Sequence, residues 1–165
     1  MSETITQLLT LQDCDKKILR YSKERNSCVA TRANLTTKLE RTQQELVQTK
    51  EELKGLESER DRIDLEIQSK KEQISKYQNQ QLQTKKNDEY QALGREIGTA
   101  NAKIDDLETR ELETMESIDA KKIALEEVKV VADKLRKDVE IEIAEVDKRE
   151  SFLDNALKDL DAERI

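Results

Sequence analysis

The chain has 165 residues and a formal net charge of −7; 41% of its residues are charged and 2% aromatic. It contains no proline, tryptophan or histidine and only three glycines, which excludes an ordinary globular core built on aromatic anchors. Two states fit so polar a composition: disorder, or a long helix whose apolar residues are few but regularly spaced. The absence of proline favours helix, because disordered segments are enriched in proline whereas helix interiors exclude it at a cost of about 3 kcal/mol.

The opening segment, MSETITQLLTLQDCDKKILR, has no basic leader followed by an apolar run. No window approaches the roughly 20 apolar residues needed to span a bilayer, so the reading is a soluble, cytoplasmic protein without membrane insertion. Cys14 and Cys28 fall on one predicted helix about 21 Å apart at 1.5 Å of rise per residue. That separation excludes an intrachain disulfide and leaves both thiols as small buried apolar side chains.

From Leu11 the apolar residues step alternately by three and four: Leu11, Cys14, Ile18, Tyr21, Cys28, Leu35, Leu39, Leu46, Leu53, Leu56, Ile63, Ile67, Ile74 and Tyr77. This is a heptad seam with a positions from 11 to 81 and d positions from 14 to 84, without a stutter. A second frame begins at Tyr90 and continues through Leu93, Ile97, Ala100, Ile104, Leu107, Ile118, Leu125, Val128, Ala132, Leu135, Val139, Val146, Leu153, Ala156 and Leu160. The two registers do not join into one continuous seam, so the helix is interrupted between them. The sequence KKND supplies the interruption, with Asn87 tolerant of left-handed backbone and Asp88 suited to cap the following helix in a capping box with Gln91.

A central break leaves two arms of similar length, and each can bury its stripe against the other. The prediction is an all-α fold, a long antiparallel two-helix coiled-coil hairpin about 110 to 120 Å in length at 1.5 Å per residue. Its first arm covers 1–84, its turn 85–89 and its second arm 90–165. A tight turn pairs residues whose numbers add to about 174, which sets Tyr77 near Ile97, Leu39 near Leu135 and Arg32 near Glu142. The same register brings Arg25 toward Arg149, and a slip of one heptad would instead match Lys70 with Glu111.

Polar residues recur on the predicted seam: Arg25, Arg32, Thr42, Thr49, Arg60 and Lys70 on the first arm, and Glu111, Thr114, Lys121, Glu142 and Arg149 on the second. Each lowers stability while helping to specify register, and together they predict a marginal, flexible rod. A helix from a second copy would improve the burial, which makes a homodimer an expectation. Charge is uneven along the chain. Residues 1–104 carry 19 basic and 17 acidic side chains, and 105–165 carry 11 and 20. So acidic a second arm argues against direct duplex binding by that segment.

The chemistry of the common enzymes has no material here. Without histidine, a cysteine cluster or a glycine-rich phosphate loop, the usual nucleophile, metal and nucleotide sites cannot be assembled, and a two-helix rod offers no water-excluding pocket for a carboxylate pair. No catalytic, cofactor-binding or metal-ligating residue is assigned, and no small-molecule substrate is expected. Gly94 and Gly98 lie off the seam, where each costs about 1 kcal/mol relative to alanine, a sign of local flexibility or of close approach by a partner.

Two segments resemble a family of bacterial proteins built from an N-terminal coiled-coil hairpin followed by a four-cysteine zinc ribbon. The first is LLTLQDCDKKILR (8–20); the more telling is QTKKNDEYQALGREI (83–97), with Lys85, Lys86, Glu89, Tyr90, Ala92, Leu93, Glu96 and Ile97 in the family's order beside the turn. The resemblance implies protein partners, an alternative sigma factor or components of flagellar or type III secretion export, and in some members RNA. It places the partner-binding surface at Lys85, Lys86, Asn87, Asp88, Glu89, Tyr90 and Leu93. The paired Cys-x-x-Cys knuckles do not follow the second arm, so zinc is expected only in the ribbon this sequence lacks, as a ribbonless relative or a piece of a longer chain. The functional expectation is a non-enzymatic adaptor or regulator; a nucleic-acid-binding regulator and a structural spacer are the alternatives.

Overall fold

The computed structural model describes residues 2–164. Two α-helices account for nearly all of them: α1, Glu3–Gln83, and α2, Asn87–Arg164. Ser2 opens α1 as an N-cap, its Oγ accepting the Ile5 N–H at 3.4 Å. Threonines inside the helices are accommodated by bonding back one turn, as Thr42 does to the Lys38 carbonyl and Thr114 to the Arg110 carbonyl. The fold is all-α, an antiparallel two-helix coiled-coil hairpin.

The helices contribute to two compact units. The turn-bearing unit is Leu46–Val128, and the terminal unit combines Met1–Glu45 with Lys129–Ile165. The turn-bearing unit is centred on Ile63, Ile67, Ile104 and Leu107, with Ile74 packed against them. In the terminal unit the buried apolar side chains are Cys14, Leu35, Val139 and Leu153. Each fully buried aliphatic side chain contributes about 1.5–3 kcal/mol, so a seam this narrow must recur over many layers to hold two long helices.

Contacts between the arms fix the register in both units. Cys14 Sγ donates to the Leu160 carbonyl at 3.4 Å and Arg149 reaches Glu24 at 2.7 Å in the terminal unit; Lys121 meets Glu52 at 2.6 Å in the turn-bearing unit. The numbers of each pair add to 173 or 174, the register expected from a tight turn. The one-heptad slip is not adopted, since Glu111 sits beside Arg60 and Asp64 rather than Lys70.

Several polar layers differ from expectation. Arg32 pairs with Asp147 at 2.7 Å and with Glu150, not with Glu142, because a long guanidinium reaches more than a turn along the facing helix. Arg25 and Arg149 do not oppose each other: Arg25 binds Asp154 and Arg149 binds Glu24. Glu142 and Arg149 are exposed, and their places facing the other arm go to Ile143 and Glu150 one residue on. Arg60 and Arg25 are exposed as well, and Glu59 rather than Arg60 is half-buried. Cys14 is buried and Cys28 half-buried, both as free thiols.

Candidate partner-binding tip

The turn is shorter than the sequence suggested. Helix α1 ends at Gln83 and α2 begins at Asn87, so Asn87, Asp88 and Glu89 form the first turn of α2 rather than part of the connection. Between the two helices, residues 84–86 form the connection. No described non-glycine residue has positive φ, so Asn87 is not left-handed as expected.

The cap also belongs to other residues than Asp88 and Gln91. The Lys86 carbonyl accepts the Tyr90 N–H at 3.1 Å, which makes Lys86 the N-cap position of α2. Thr84 Oγ1 accepts the Lys86 N–H at 3.3 Å and donates to Glu89 Oε2 at 2.8 Å. Glu89 is the third residue of the helix, where a capping-box glutamate normally reaches back to the N-cap amide; here the Thr84 hydroxyl relays that bond across the turn. Lys86 Nζ lies 3.8 Å from Glu89 Oε1, adding a weak exposed ion pair. The carboxylate at this position also faces the positive end of the α2 dipole.

Gln81 closes the tip from the other arm, its Nε2 donating to the Tyr90 carbonyl at 3.1 Å. The Gln81 amide runs over Gly94, where an added Cβ would meet Nε2 at 3.4 Å, an ordinary contact. Nothing lies within 4 Å of a Cβ built at Gly98, so neither glycine is required by close packing within the chain. Beside this bond an open cleft of about 630 Å³ is bounded by Gln80 from α1, by Thr84 of the connection and by Glu89, Leu93, Arg95 and Glu96 from α2.

Of the seven residues assigned to the tip, the structure brings Lys86 and Glu89 into contact and sets Glu89 and Leu93 on the same cleft. Lys85, Asn87 and Asp88 are exposed on the connection and the first turn. Tyr90 does not close a last core layer as its seam position suggested; it is 52% exposed, and Ala100 is the first buried residue of α2. Leu93 and Ile97 are half-buried between them.

Sequence reasoning missed Thr84, Gln81, Arg95 and Leu82, the last 86% exposed beside the turn. A threonine five residues before a glutamate, straddling the break, was the available signal for the relay. Among the described residues no group of three or more Cys, Asp or Glu side chains is placed to hold a metal ion, and no helix is long and apolar enough to cross a membrane.

No family model and no curated protein matches the chain. Among solved structures it is similar to CT398 from Chlamydia trachomatis, with a TM-score of 0.90 at 21% sequence identity. The alignment covers 96% of this chain and 67% of that one. At this identity the likeness shows the fold alone: the two-helix hairpin read from the heptads is an architecture found in an experimentally solved protein.

Proposed function

We propose that this protein is a non-enzymatic coiled-coil adaptor or regulator that presents its hairpin tip and acidic second arm to protein partners. The observation that carries the reading is the tip itself. Lys85 and Lys86 on the three-residue connection, and Leu82 and Tyr90 on the helix ends flanking it, are exposed, and the connection is fastened by Thr84, Glu89 and Gln81. A pre-organised surface with an aromatic ring and cationic side chains is what a protein interface uses for its dominant contacts. The resemblance of residues 83–97 to hairpin and zinc-ribbon proteins supplies the partner class, an alternative sigma factor or components of a flagellar or type III export apparatus in the cytoplasm.

A second reading rests on charge. Residues 70–103 carry seven basic and four acidic side chains in a chain that is acidic overall, which favours RNA as the partner of the tip. One binding series separates the two. Purified sigma factor should bind the wild-type chain and lose about tenfold or more in affinity to a Lys85→Glu, Lys86→Glu, Tyr90→Ala variant. Unchanged affinity would remove the tip from the interface. RNA binding that falls steeply with salt would transfer the site to nucleic acid.

A further inference from the structure

The side of α2 turned away from α1 in the terminal unit carries a line of uncovered apolar side chains. Val130, Ile141 and Phe152 are each more than half exposed and follow one another at intervals of 11 residues. Eleven residues make three turns and drift only about 20° around a helix, so the three form a nearly straight line about 33 Å long. Val130 and Ile141 lie about 160–180° around the helix from buried Val139. None of the three occupies an a or d position, so the seam gives no reason for the line. Leu112 and Ile123, also exposed, repeat the interval in the turn-bearing unit. Phe152 is the single phenylalanine of the chain. The Arg149 guanidinium lies over its ring at 5.0 Å while it binds Glu24 at 2.7 Å, which leaves the ring held at the surface with one face covered.

We infer that this line is the contact surface for a second copy of the chain, packed antiparallel along α2 over residues 130–152. Symmetry and charge select that occupant. Val130 and Phe152 stand equally far from Ile141, so a two-fold axis through Ile141 sets Ile141 against itself and Val130 level with Phe152 of the second copy. Exposed Val131 widens this end layer. Lys134 and Glu145 flank the line on one side, and neither has a hydrogen bond or ion pair within the described residues. Under the same axis each Lys134 comes within one turn of Glu145 of the second copy, which gives two pairs of opposite charge. On the other flank Lys148 comes level with Asp133 of the second copy, and this offsets its approach to Lys137. A partner of one charge sign would leave either Lys134 or Glu145 unanswered, whereas a second copy answers both. The contact adds to the hairpin without opening its seam, and no residue of the tip takes part.

A surface this small belongs to the weak end of specific interfaces, so the full chain should pass from monomer to dimer between about 1 and 200 µM in sedimentation equilibrium. Ile141→Glu places two like charges on the axis and should weaken association about tenfold or more. The side chain is exposed, so helicity and thermal midpoint at low concentration should match those of the wild type. Lys134→Glu and Glu145→Lys should each weaken the dimer about threefold, and the two together should restore it, a rescue that damage to folding cannot produce. Three results would overturn the proposal. A wild-type chain that stays monomeric at the upper concentration would leave the line to a different partner. A dimer untouched by Ile141→Glu would place the contact elsewhere on the chain, and a double charge reversal without rescue would remove the antiparallel pairing.

Discussion

The two units join the same pair of helices by different means. The turn-bearing unit has a contiguous cluster, Ile63, Ile67, Ile104 and Leu107, and two inter-arm cation–carboxylate partnerships, Arg110–Glu59 and Lys121–Glu52. In the terminal unit the ion pairs are denser: Arg25–Asp154, Arg32 with both Asp147 and Glu150, Arg149–Glu24 and Arg164–Asp15. Apolar burial is insensitive to salt and grows with area, whereas exposed ion pairs give little each and are screened. One unit is thus held mainly by its core, and the other draws more of its specificity from charge.

The comparison breaks most visibly at the core. Leu107 and Leu153 are each fully buried, one in either unit. Replacing either with alanine should cost about 2–5 kcal/mol, read from denaturant unfolding. Hydrogen exchange should then show the loss concentrated in the unit that carries the substitution. If Leu153→Ala costs as much as Leu107→Ala and opens both units together, the two are a single cooperative body and the distinction drawn above fails.

Glycine gives the next largest effect, with the opposite sign. All three glycines, Gly55, Gly94 and Gly98, lie in the turn-bearing unit and in helical segments. Around Gly55 and Gly98 an added Cβ meets nothing within 4 Å. Alanine at either should therefore stabilise the protein by about 1 kcal/mol, seen as a raised denaturation midpoint. At Gly98 the experiment also tests function: a partner that approaches the backbone there would bind the stabilised variant more weakly, and a partner that reads only Lys85, Lys86 and Tyr90 would not.

Salt sharpens the contrast between the units. In about 1 M NaCl the screening length falls to roughly 3 Å, and the terminal unit should lose more protection than the turn-bearing one. Arg32 is the sensitive member, since two carboxylates raise its pKa and hold it charged. Arg32→Met keeps the aliphatic stem and removes the charge, and it should abolish most of that extra salt sensitivity. Equal sensitivity in the two units would mean that their ion pairs contribute alike.

The heptads made the architecture legible because burial follows spacing: nearly every buried or half-buried position on α1, from Cys14 to Gln81, is an a or d position of the first frame. Legibility fails where a polar residue occupies a seam position next to a better candidate. Counting alone puts Glu142 and Arg149 on the seam; physical chemistry shifts the contact to Ile143, which is apolar, and to Glu150, which finds Arg32. The helices are joined at 84–86 rather than over 85–89, and the turn closes by a mechanism other than the expected one. Asn87 and Asp88 have the right propensities for a left-handed residue and a cap, yet Thr84 and Glu89 supply a hydroxyl–carboxylate relay that lets the chain reverse in three residues without either. Side-chain bonds across a turn depend on how the two arms are placed, which local propensity does not encode. Tyr90 shows the same limit: a seam position on the last layer has no layer beyond it to complete its burial.

The smallest effect lies within the turn-bearing unit, where two glutamates respond to acid in opposite directions. Lys121 donates to Glu52 at 2.6 Å, and that bond, with the Lys121 charge, lowers the Glu52 pKa. A group whose pKa is depressed on folding contributes stability above its unfolded value and loses it as pH falls through the folded one. Acid therefore releases Glu52 from Lys121, whereas Glu111, whose pKa is raised chiefly by desolvation, loses its charge more readily than an ordinary carboxylate as pH falls. Both side chains of the Glu52 pair remain partly exposed, so its contribution is the lesser. Glu52→Gln should flatten the decline in thermal midpoint as pH falls below the unfolded glutamate value of about 4.3 and leave the midpoint near neutral pH little changed. A Glu52→Gln variant that keeps the full acid decline would place its source outside the Lys121–Glu52 pair.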